Sequence, residues 1–393
     1  MTYSVREVSL GEVCEIKQGR YLAPNQMETS PTNECFVPVI GGNGVLGYTD
    51  RSTFPFPVPL VTCRGSKCGL MQWAEPPTWI SNNAMAVYFK ENQGDNFFLH
   101  QYLLNSSFDD VTTGSAQPQI TVTNLSLKQI LLPDLQTQKT ISLIMKNIEE
   151  KITTNNVLSK TLEHIAQTLF KSWFIDFDPV KAKMVEEKPA GMDVTTAALF
   201  PDSMEDSELG LIPKSWNVVC IGDISNIQGG KMLSREEFND DGMFPIFGGA
   251  GVMGNSNKSN AEGFVITVGR VGAYCGQFFY HRGLAWVNNN ASRIIPLEGI
   301  SGEWVYLFLK SFDVESIKKG AAQPFVSNSD LANSKLMMPP IEFIERFTEI
   351  VRPIFEQAET LRHQARLLTK LRESLLPRLT SGELQIPEEM LVL

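Results

Sequence analysis

Two glycine patterns with the same spacing are the first residues in this sequence that could do chemistry. Gly42-x-Gly44-x-x-Gly47 and Gly249-x-Gly251-x-x-Gly254 have the spacing of a dinucleotide-binding loop. That chemistry needs a helix directly after the glycines, because the helix N-terminus receives the pyrophosphate. The residues that follow, 48–57 and 255–263, are typical of turns and strands. The pattern therefore favours a glycine-rich turn between two strands over a nucleotide site.

The second glycine pattern also permits a methyl-transfer hypothesis. Phe247-x-Gly249-x-Gly251 resembles the cofactor loop of adenine methyltransferases. Those enzymes resemble one another in a further motif, Asn or Asp followed by Pro-Pro and an aromatic residue, which grips the target base. The only Pro-Pro pairs here, 76–77 and 339–340, follow Glu75 and Met338. A stand-alone adenine methyltransferase is therefore a disfavoured alternative.

A set of acidic residues resembles a nuclease metal site, but its helical context argues against a nuclease. Asp134 followed by Glu149, Glu150 and Lys151 imitates the carboxylates and lysine with which many nucleases hold a metal. Residues 149–151, however, lie between apolar positions of a helical pattern, where charges usually form a solvated face. The sequence has no Gly-Lys-Ser/Thr phosphate loop, so ATP-driven translocation by this chain alone is not expected. No catalytic site is predicted.

The cysteines and histidines do not have the spacing of metal ligands. Cysteines without such spacing usually behave as small core residues, so free thiols and no metal site are predicted. The residues concerned are Cys14, Cys35, Cys63, Cys68, Cys220, Cys275, His100, His164, His281 and His363.

Length and composition indicate a globular protein of at least two domains. The chain has 393 residues, 42% hydrophobic and 20% charged, with no apolar run long enough to cross a bilayer. The first ten residues lack the pattern of a secretory signal, so a cytoplasmic location is predicted. The net charge of −10 argues against indiscriminate coating of nucleic acid but permits a local basic surface.

The second half of the sequence repeats the first half in order. The longest match is VPVIGGNGVLG at 37–47 with FPIFGGAGVMG at 244–254. Shorter matches pair 11–13 with 222–224, 79–84 with 286–291, 114–118 with 320–324, and 132–133 with 338–339. Each half therefore contains the same globular segment, and its composition predicts a mixed, β-rich fold.

Each half ends in a segment with few glycines that predicts a long helix. Apolar residues alternate at spacings of four and three, which is typical of a coiled-coil seam. The two seams keep one register, and Pro353 predicts a kink or a break in the second helix. The first seam comprises Ile141, Met145, Ile148, Ile152, Asn155, Ser159, Leu162, Ala166, Leu169 and Trp173. The second comprises Phe347, Val351, Ile354, Ala358, Leu361, Ala365, Leu368, Arg372, Leu375 and Leu379.

These observations predict an α+β protein with two β-rich mixed domains in a pseudo-twofold repeat, separated by two long antiparallel coiled-coil helices. The predicted segments are a first domain at 1–135, a central helix at 136–175, a linker at 176–211, a second domain at 212–340, a distal helix at 341–380 and a tail at 381–393. The linker prediction depends on four prolines between 176 and 215 and on acidic residues that include Glu186, Glu187, Asp202, Glu205, Asp206 and Glu208.

Four segments resemble the specificity subunits of type I restriction-modification systems. The most specific is LFKSWFIDFDPVKAKM at 169–184, which resembles the end of the family's central conserved helix. GLIPKSW at 210–216 resembles the entry to a second target-recognition domain, and QPQI at 117–120 with Leu132-Pro133 resembles the close of the first. LPRLTSGEL at 376–384 resembles the distal conserved region.

The resemblance implies a non-catalytic, double-stranded DNA-binding subunit. It implies two modification subunits that carry S-adenosylmethionine and dock on the conserved helices, and restriction subunits that use ATP and Mg. No cofactor is expected in this chain itself. A coiled-coil scaffold whose globular ends bind proteins remains an alternative.

Helix geometry suggests the form of the DNA target. About 35 residues at ~1.5 Å each make a spacer of roughly 50 Å, or about one to one and a half turns of duplex. Two different reading domains predict two different half-sites with an unread gap. Polar residues near the glycine-rich turns and neighbouring loops are the candidates for DNA contact. They are Arg20, Asn43, Arg64, Ser66, Lys67, Gln119, Lys231, Asn257, Lys258, Arg270 and Asn328.

Overall fold

The structure is a computed structural model that describes residues 4–114, 117–320 and 322–391. The chain forms two compact units, Met1–Asn155 with His363–Leu393, and Asn156–Arg362. Two helices, Leu135–Phe174 and Ile341–Thr380, each contribute residues to both units. No helix among the described residues is both long and apolar enough to span a bilayer.

The first unit contains two small sheets and two strand pairs. The four-stranded sheet has the order Cys14–Gln18, Ala84–Phe89, Val58–Thr62 and Met71–Ala74, with antiparallel neighbours. The three-stranded sheet has the order Gly44–Thr49, Val37–Gly41 and Trp79–Ile80, and its second pairing is parallel. The strand pairs are Val5–Ser9 with Gln129–Pro133, and Thr112–Thr113 with Gln119–Ile120. Its short helices are Leu10–Val13, Asn96–Leu104 and Val122–Ser126, with a 3-10 turn at Pro24–Gln26.

The core of the first unit has two layers, because side chains along the central strands point alternately to the two faces of the sheet. Val61, Met85 and Val87 pack in one apolar cluster with the helix Asn96–Leu104. Leu60 belongs to a second apolar cluster, on the opposite side of the sheet. Because successive side chains point to opposite faces, an apolar run such as 84–89 fits a strand covered on both sides.

The second unit repeats this topology. Its four-stranded sheet has the order Ser225–Gly229, Ala291–Pro296, Phe264–Gly269 and Phe278–Arg282. Its three-stranded sheet has the order Gly251–Ser256, Phe244–Gly248 and Trp286–Val287, again with one parallel pairing. Asn217–Cys220 pairs with Lys335–Met338. The short helices are Ile221–Ile224, Gly302–Ser311 and Asn328–Ala332, with 3-10 turns at Arg235–Glu237, Gly272–Tyr274 and Val314–Ile317. A further 3-10 turn, Glu388–Met390, lies in the C-terminal tail, which belongs to the first unit.

The repeat extends to single irregularities and helix caps. The register shifts within the first hairpin between Val39 and Ile40, and within its counterpart between Ile246 and Phe247. Thr121 Oγ1 accepts from Asn124 N at 3.1 Å, as Ser327 Oγ accepts from Asp330 N at 3.0 Å. The predicted α+β fold with an internal repeat is confirmed. The match of 114–118 with 320–324 includes Ser115, Ala116 and Ala321, which lie outside the described residues.

Within each unit the two long helices run antiparallel. In the first unit, Ile141 and Met145 share a core with Leu376 and Leu379. Asn155 Nδ2 donates to Gln364 Oε1 at 3.3 Å, while Arg372 Nη1 lies 3.6 Å from Glu149 Oε1. Higher residue numbers of the first helix therefore contact lower residue numbers of the second helix, and this order shows that the two helices are antiparallel.

In the second unit the pairing is aromatic. Phe170, Trp173 and Phe174 pack with Phe347, and the Phe174 and Phe347 ring centroids are 5.0 Å apart with planes at 89°. Such edge-to-face contacts add to the free energy of apolar burial. Arg362 donates to Glu163 across the same helix pair.

All residues of the two predicted seams are buried or half-buried. Ile141, Met145, Asn155, Ser159, Ala166, Trp173, Phe347, Val351, Ala358, Leu361, Ala365 and Leu379 are buried. Ile148, Ile152, Leu162, Leu169, Ile354, Leu368, Arg372 and Leu375 are half-buried.

Of the two outcomes predicted at Pro353, a kink or a break, the break is wrong. The helix Ile341–Thr380 continues through this residue, although a proline inside a helix removes one backbone hydrogen bond. Val351 and Phe355, on either side, are fully buried in the core of the second unit. Their burial offsets the local cost and keeps the helix intact.

The segment predicted as an extended linker at 176–211 is folded. It contains the helices Asp178–Met184 and Val194–Leu199 and a hairpin formed by Met204–Ser207 and Gly210–Pro213. Val180 and Phe200 are buried in the core of the second unit. Proline and acidic content suggested a linker, but these few apolar side chains anchor the segment by burial.

Candidate nucleic-acid interface

The glycine patterns form hairpin turns, as their context predicted. Gly42 and Asn43 connect the strands Val37–Gly41 and Gly44–Thr49, and Gly44 has φ +103°. Gly249 and Ala250 form the equivalent turn, followed by Gly251 with φ +97°. Glycine accommodates a positive φ without steric cost. A strand follows each turn where a dinucleotide site would need a helix N-terminus.

The acidic residues considered for a nuclease have other partners in the fold. Asp134 Oδ1 accepts from Thr137 N at 3.0 Å and so caps the first long helix. Glu149 accepts from Gln101 Nε2 at 2.9 Å and lies beside Arg372. Within residues 4–114, 117–320 and 322–391, no three His, Cys, Asp or Glu side chains are grouped as metal ligands.

A short loop after the strand Val58–Thr62 carries three of the candidate residues. Arg64, Ser66 and Lys67 are exposed in this loop. Cys63 O accepts from Ile120 N at 3.0 Å, and Gly65 N donates to Pro118 O at 3.2 Å. The loop backbone therefore lies beside Gln119, with which Arg64 forms an isolated β-bridge.

The other candidates of the first unit lie at the same end of the four-stranded sheet. Gln18, which ends the strand Cys14–Gln18, donates from Nε2 to Cys63 Sγ at 3.3 Å. Arg20 follows two residues later and is exposed. Thr62 Oγ1 donates to Gly42 O at 2.8 Å, which brings the Asn43 turn to this end as well.

This arrangement gathers five exposed hydrogen-bond donors and the half-buried Gln119 on one surface. This surface is here called the first reading surface: Arg20, Asn43, Arg64, Ser66, Lys67 and Gln119. Arg20, Arg64 and Lys67 form no ion pair within the described parts of the chain, so their charges are available to a ligand. Guanidinium groups can contact guanine in a bidentate manner, and amides can contact adenine. The surface has the chemistry required to read base edges.

A groove beside this surface was missed by the sequence reasoning. It encloses about 610 Å³ and is lined by Lys17, Arg20, Phe54, Phe56, Trp79 and Tyr88, among others. The Arg51 guanidinium lies 5.6 Å from the Trp79 ring centroid. Basic residues interleaved with aromatic ones are a known nucleic-acid signal, but here they come from distant segments.

Glu15 contacts two residues that line this groove, Tyr88 and Lys17, and these contacts keep its carboxylate charged. Tyr88 Oη donates to Glu15 Oε2 at 2.8 Å, and Lys17 Nζ lies 3.0 Å from the same oxygen. The Tyr88 hydrogen bond, with the Lys17 contact, lowers the pKa of Glu15. Part of the Lys17 charge is therefore neutralised within the protein, whereas Arg20 has no such partner among the described residues.

In the second unit, Lys231 occupies the position of Arg20. Trp286 Nε1 donates to Lys231 O at 2.9 Å, as Trp79 Nε1 donates to Arg20 O at 3.1 Å. Arg270 and Asn328 meet around Gly229, at the end of the strand Ser225–Gly229. A Cβ at Gly229 would lie 3.2 Å from Arg270 Nη1 and 3.9 Å from Asn328 Nδ2.

The structure does not bring Asn257 and Lys258 to that group. Both follow the strand Gly251–Ser256, at the end of the hairpin opposite its glycine turn. Lys258 Nζ pairs with Glu237, and Asn257 Oδ1 accepts from Met243 N at 3.3 Å. Residues close in sequence to a glycine turn can thus lie a full strand away from it.

Comparisons with known proteins agree with this architecture. The sequence matches the type I restriction modification DNA specificity domain twice, over residues 4–164 and 213–365. The chain therefore belongs to the family of type I restriction-modification specificity proteins.

Relatives from distant organisms share most of its length. It is 28% identical over 334 residues to the specificity subunit of the Haemophilus influenzae type I restriction enzyme HindI, covering 68% of this chain and 71% of the relative. It is 23% identical over 362 residues to that of the Methanocaldococcus jannaschii enzyme MjaIX, covering 85% and 79%. The crystal structure of a type I S subunit from M. genitalium has the same fold, with a TM-score of 0.64, 17% identity and 96% coverage of both chains.

Proposed function

We propose that this specificity subunit reads a bipartite, asymmetric duplex DNA target and docks modification and restriction subunits. The observation that carries the proposal is the repeated fold with divergent exposed side chains. The first reading surface presents Arg64, Lys67 and Gln119 on a loop frame that recurs in the second unit with other residues. Two copies of one scaffold with different contact residues would read two different half-sites.

The long helices support an unread gap between the half-sites. Each helix has 40 residues. At ~1.5 Å per residue, such a helix is about 60 Å long, which exceeds one turn of duplex DNA. The helices would serve as spacers, so that the protein contacts bases only at the two ends of the target.

Exposed apolar side chains on the helices support partner docking. Ile165 and Leu371, 206 positions apart, occupy equivalent places in the two helices and are 43% and 44% exposed. Val157, Leu158 and Leu367 are also exposed. Apolar groups of this kind mark protein-binding surfaces, and their duplication fits two identical partners. In this proposal the modification subunits carry S-adenosylmethionine, the restriction subunits use ATP and Mg, and this chain binds none of these cofactors.

The test is to map adenine methylation in a host that lacks its own adenine methylation. The host expresses this chain with the modification gene of the same restriction-modification system, and modified adenines are sequenced genome-wide. The expected result is a gapped motif with two unlike halves. The control expresses the modification gene alone and should give no such motif.

Two outcomes would contradict the proposal. An ungapped or palindromic motif would remove the two-domain reading mechanism. An assembled complex that binds competitor duplexes regardless of sequence would favour a protein scaffold instead.

A further inference from the structure

The loop that carries Arg64 has an exact backbone counterpart in the second unit. Gly272 N donates to Pro324 O at 3.0 Å, as Gly65 N does to Pro118 O at 3.2 Å. Val326 N donates to Arg270 O at 3.0 Å, as Ile120 N does to Cys63 O at the same distance. The turn bonds agree as well: Cys275 N to Gly272 O at 3.0 Å, and Cys68 N to Gly65 O at 2.9 Å. The two loops therefore share one pattern of backbone hydrogen bonds, here called the loop frame.

The side chains on this frame differ in chemical class. The bridge between Arg64 and Gln119 in the first unit corresponds to the bridge between Val271 and Phe325 in the second. Lys67 corresponds to Tyr274. Val271, Tyr274 and Phe325 are 44%, 52% and 40% exposed. A polar, cationic surface in one unit is thus replaced by an apolar, aromatic surface in the other, here called the apolar reading patch.

A cation lies directly beside the patch. Arg270 precedes Val271, and its Nη1 lies close to Gly229. Its Nε is buried and has no hydrogen-bond partner among the described residues. The patch therefore combines exposed apolar groups with a half-buried guanidinium. Duplex DNA offers both partners, because the major groove displays thymine methyl groups and the backbone displays phosphates.

We propose that Val271, Tyr274 and Phe325 determine specificity in the second unit by contacting thymine methyl groups in the major groove. This inference rests on the proposed DNA-reading function. Apolar contact is the means by which side chains distinguish thymine from other bases in that groove. The first unit would read its half-site by hydrogen bonds from Arg64 and Gln119. The two half-sites would therefore be selected by different physical interactions.

The experiment uses the full complex with its modification subunits and the target motif obtained by methylation mapping. Each thymine of both half-sites is replaced in turn by deoxyuracil, which lacks only the 5-methyl group, and the Kd is measured. Losing one buried methyl group is worth about 0.8 kcal/mol, so the expected loss at a contacted thymine is about four-fold. The loss should occur in one half-site only.

A second measurement tests whether the deoxyuracil penalty depends on the side chains of the apolar reading patch. In a Phe325→Ala or Tyr274→Ala complex, the deoxyuracil penalty should disappear, because the partner of the methyl group is already absent. Phe325→Leu keeps an apolar group and should retain part of the penalty. Arg64→Ala is the matched control, and it should leave the penalty unchanged.

Other results would overturn the inference. Equal Kd values for thymine and deoxyuracil at every position would remove methyl contact as the basis of reading. Normal DNA binding by the alanine variants with loss of a modification subunit would assign the patch to protein docking. If the wild-type complex itself shows no sequence preference, the proposed function fails first, which is a distinguishable result. Unchanged thermal unfolding of each variant would exclude misfolding as the cause of a lost penalty.

Discussion

Arg64 combines an exposed guanidinium with a rigid backbone. The backbone groups of the residues on either side of it are hydrogen bonded to the backbone of residues 118 and 120. Arg64 forms no ion pair within the described residues. Little conformational entropy of the backbone is left to lose when the side chain binds a base edge. These properties make Arg64 the most informative single substitution in the first unit.

Arg64→Ala should weaken specific binding, or relax one position of one half-site, by ~1 to 3 kcal/mol. The measurement is competition between the target duplex and duplexes altered at single positions. Lys258→Ala removes the same charge from a residue already paired with Glu237 and should have little effect. Unaltered affinity and unaltered half-site preference would remove Arg64 from the reading residues.

His100 makes the stability of the first unit depend on pH. The imidazole is buried beside Trp73 and Phe97, and its Nδ1 has no hydrogen-bond partner among the described residues. Burial lowers the pKa of His100 from 6.5 to about 4. Between these values the unfolded chain binds a proton that the folded chain does not, so the free energy of unfolding falls as pH decreases from 6.5 to 4.

His100→Phe should reduce this pH dependence while keeping an aromatic ring in the site. Since one pKa unit corresponds to 1.36 kcal/mol, the wild type should lose up to about 3 kcal/mol more than the variant over that pH interval. Chemical unfolding of both proteins at several pH values measures the difference. Parallel pH profiles would show that His100 is not the responsible group.

At the scale of elements, the helix pair has a buried seam and an exposed outer face. Ile148 is half-buried and packs against the core of the first unit, whereas Leu143, on the same helix, is 45% exposed. Asn155 is fully buried in the seam, and its bond to Gln364 uses only the amide nitrogen. A polar residue at such a position specifies register at some cost in stability.

Ile148→Asp should destabilise the first unit by ~2 to 3 kcal/mol, because it places an unpaired charge in the seam. Thermal unfolding of the purified chain measures the effect. Leu143→Asp is the matched control and should change the melting temperature little, since its side chain is already exposed. An equal melting temperature for both variants would contradict the assignment of the seam.

At the scale of the whole molecule, the repeat makes each feature of the proposed docking surface occur twice. Ile165 belongs to the second unit and Leu371 to the first, and each is exposed at the same position of its helix. In the proposed docking mechanism, these equivalent surfaces of the two repeats would bind two copies of one partner.

Ile165→Asp and Leu371→Asp should therefore each abolish the binding of one modification subunit, and the double variant should abolish the binding of both. Native mass spectrometry of the assembled complex gives the stoichiometry. The free chain should remain folded in all three variants, because both positions are solvent-exposed. Two bound modification subunits in the double variant would place the docking surface elsewhere.

Much of this organisation can be derived from the sequence. The internal repeat, the two long helices and the hairpin turns depend on local patterns, such as apolar periodicity and paired glycines, which act over a few residues. Pairing of the two seams follows because both helices carry an apolar stripe that must be buried.

Only the tertiary structure decided which residues share a surface. Gln18, Gly42, Cys63 and Gln119 meet at one sheet end because strand order and register bring them there, and no local pattern encodes that. The same holds for segment 176–211, where burial of Val180 and Phe200 overrides a composition typical of linkers. The apolar reading patch could not be predicted from the sequence for a related reason. Whether a Phe or Tyr side chain is exposed depends on its neighbours in space, which only the tertiary structure gives.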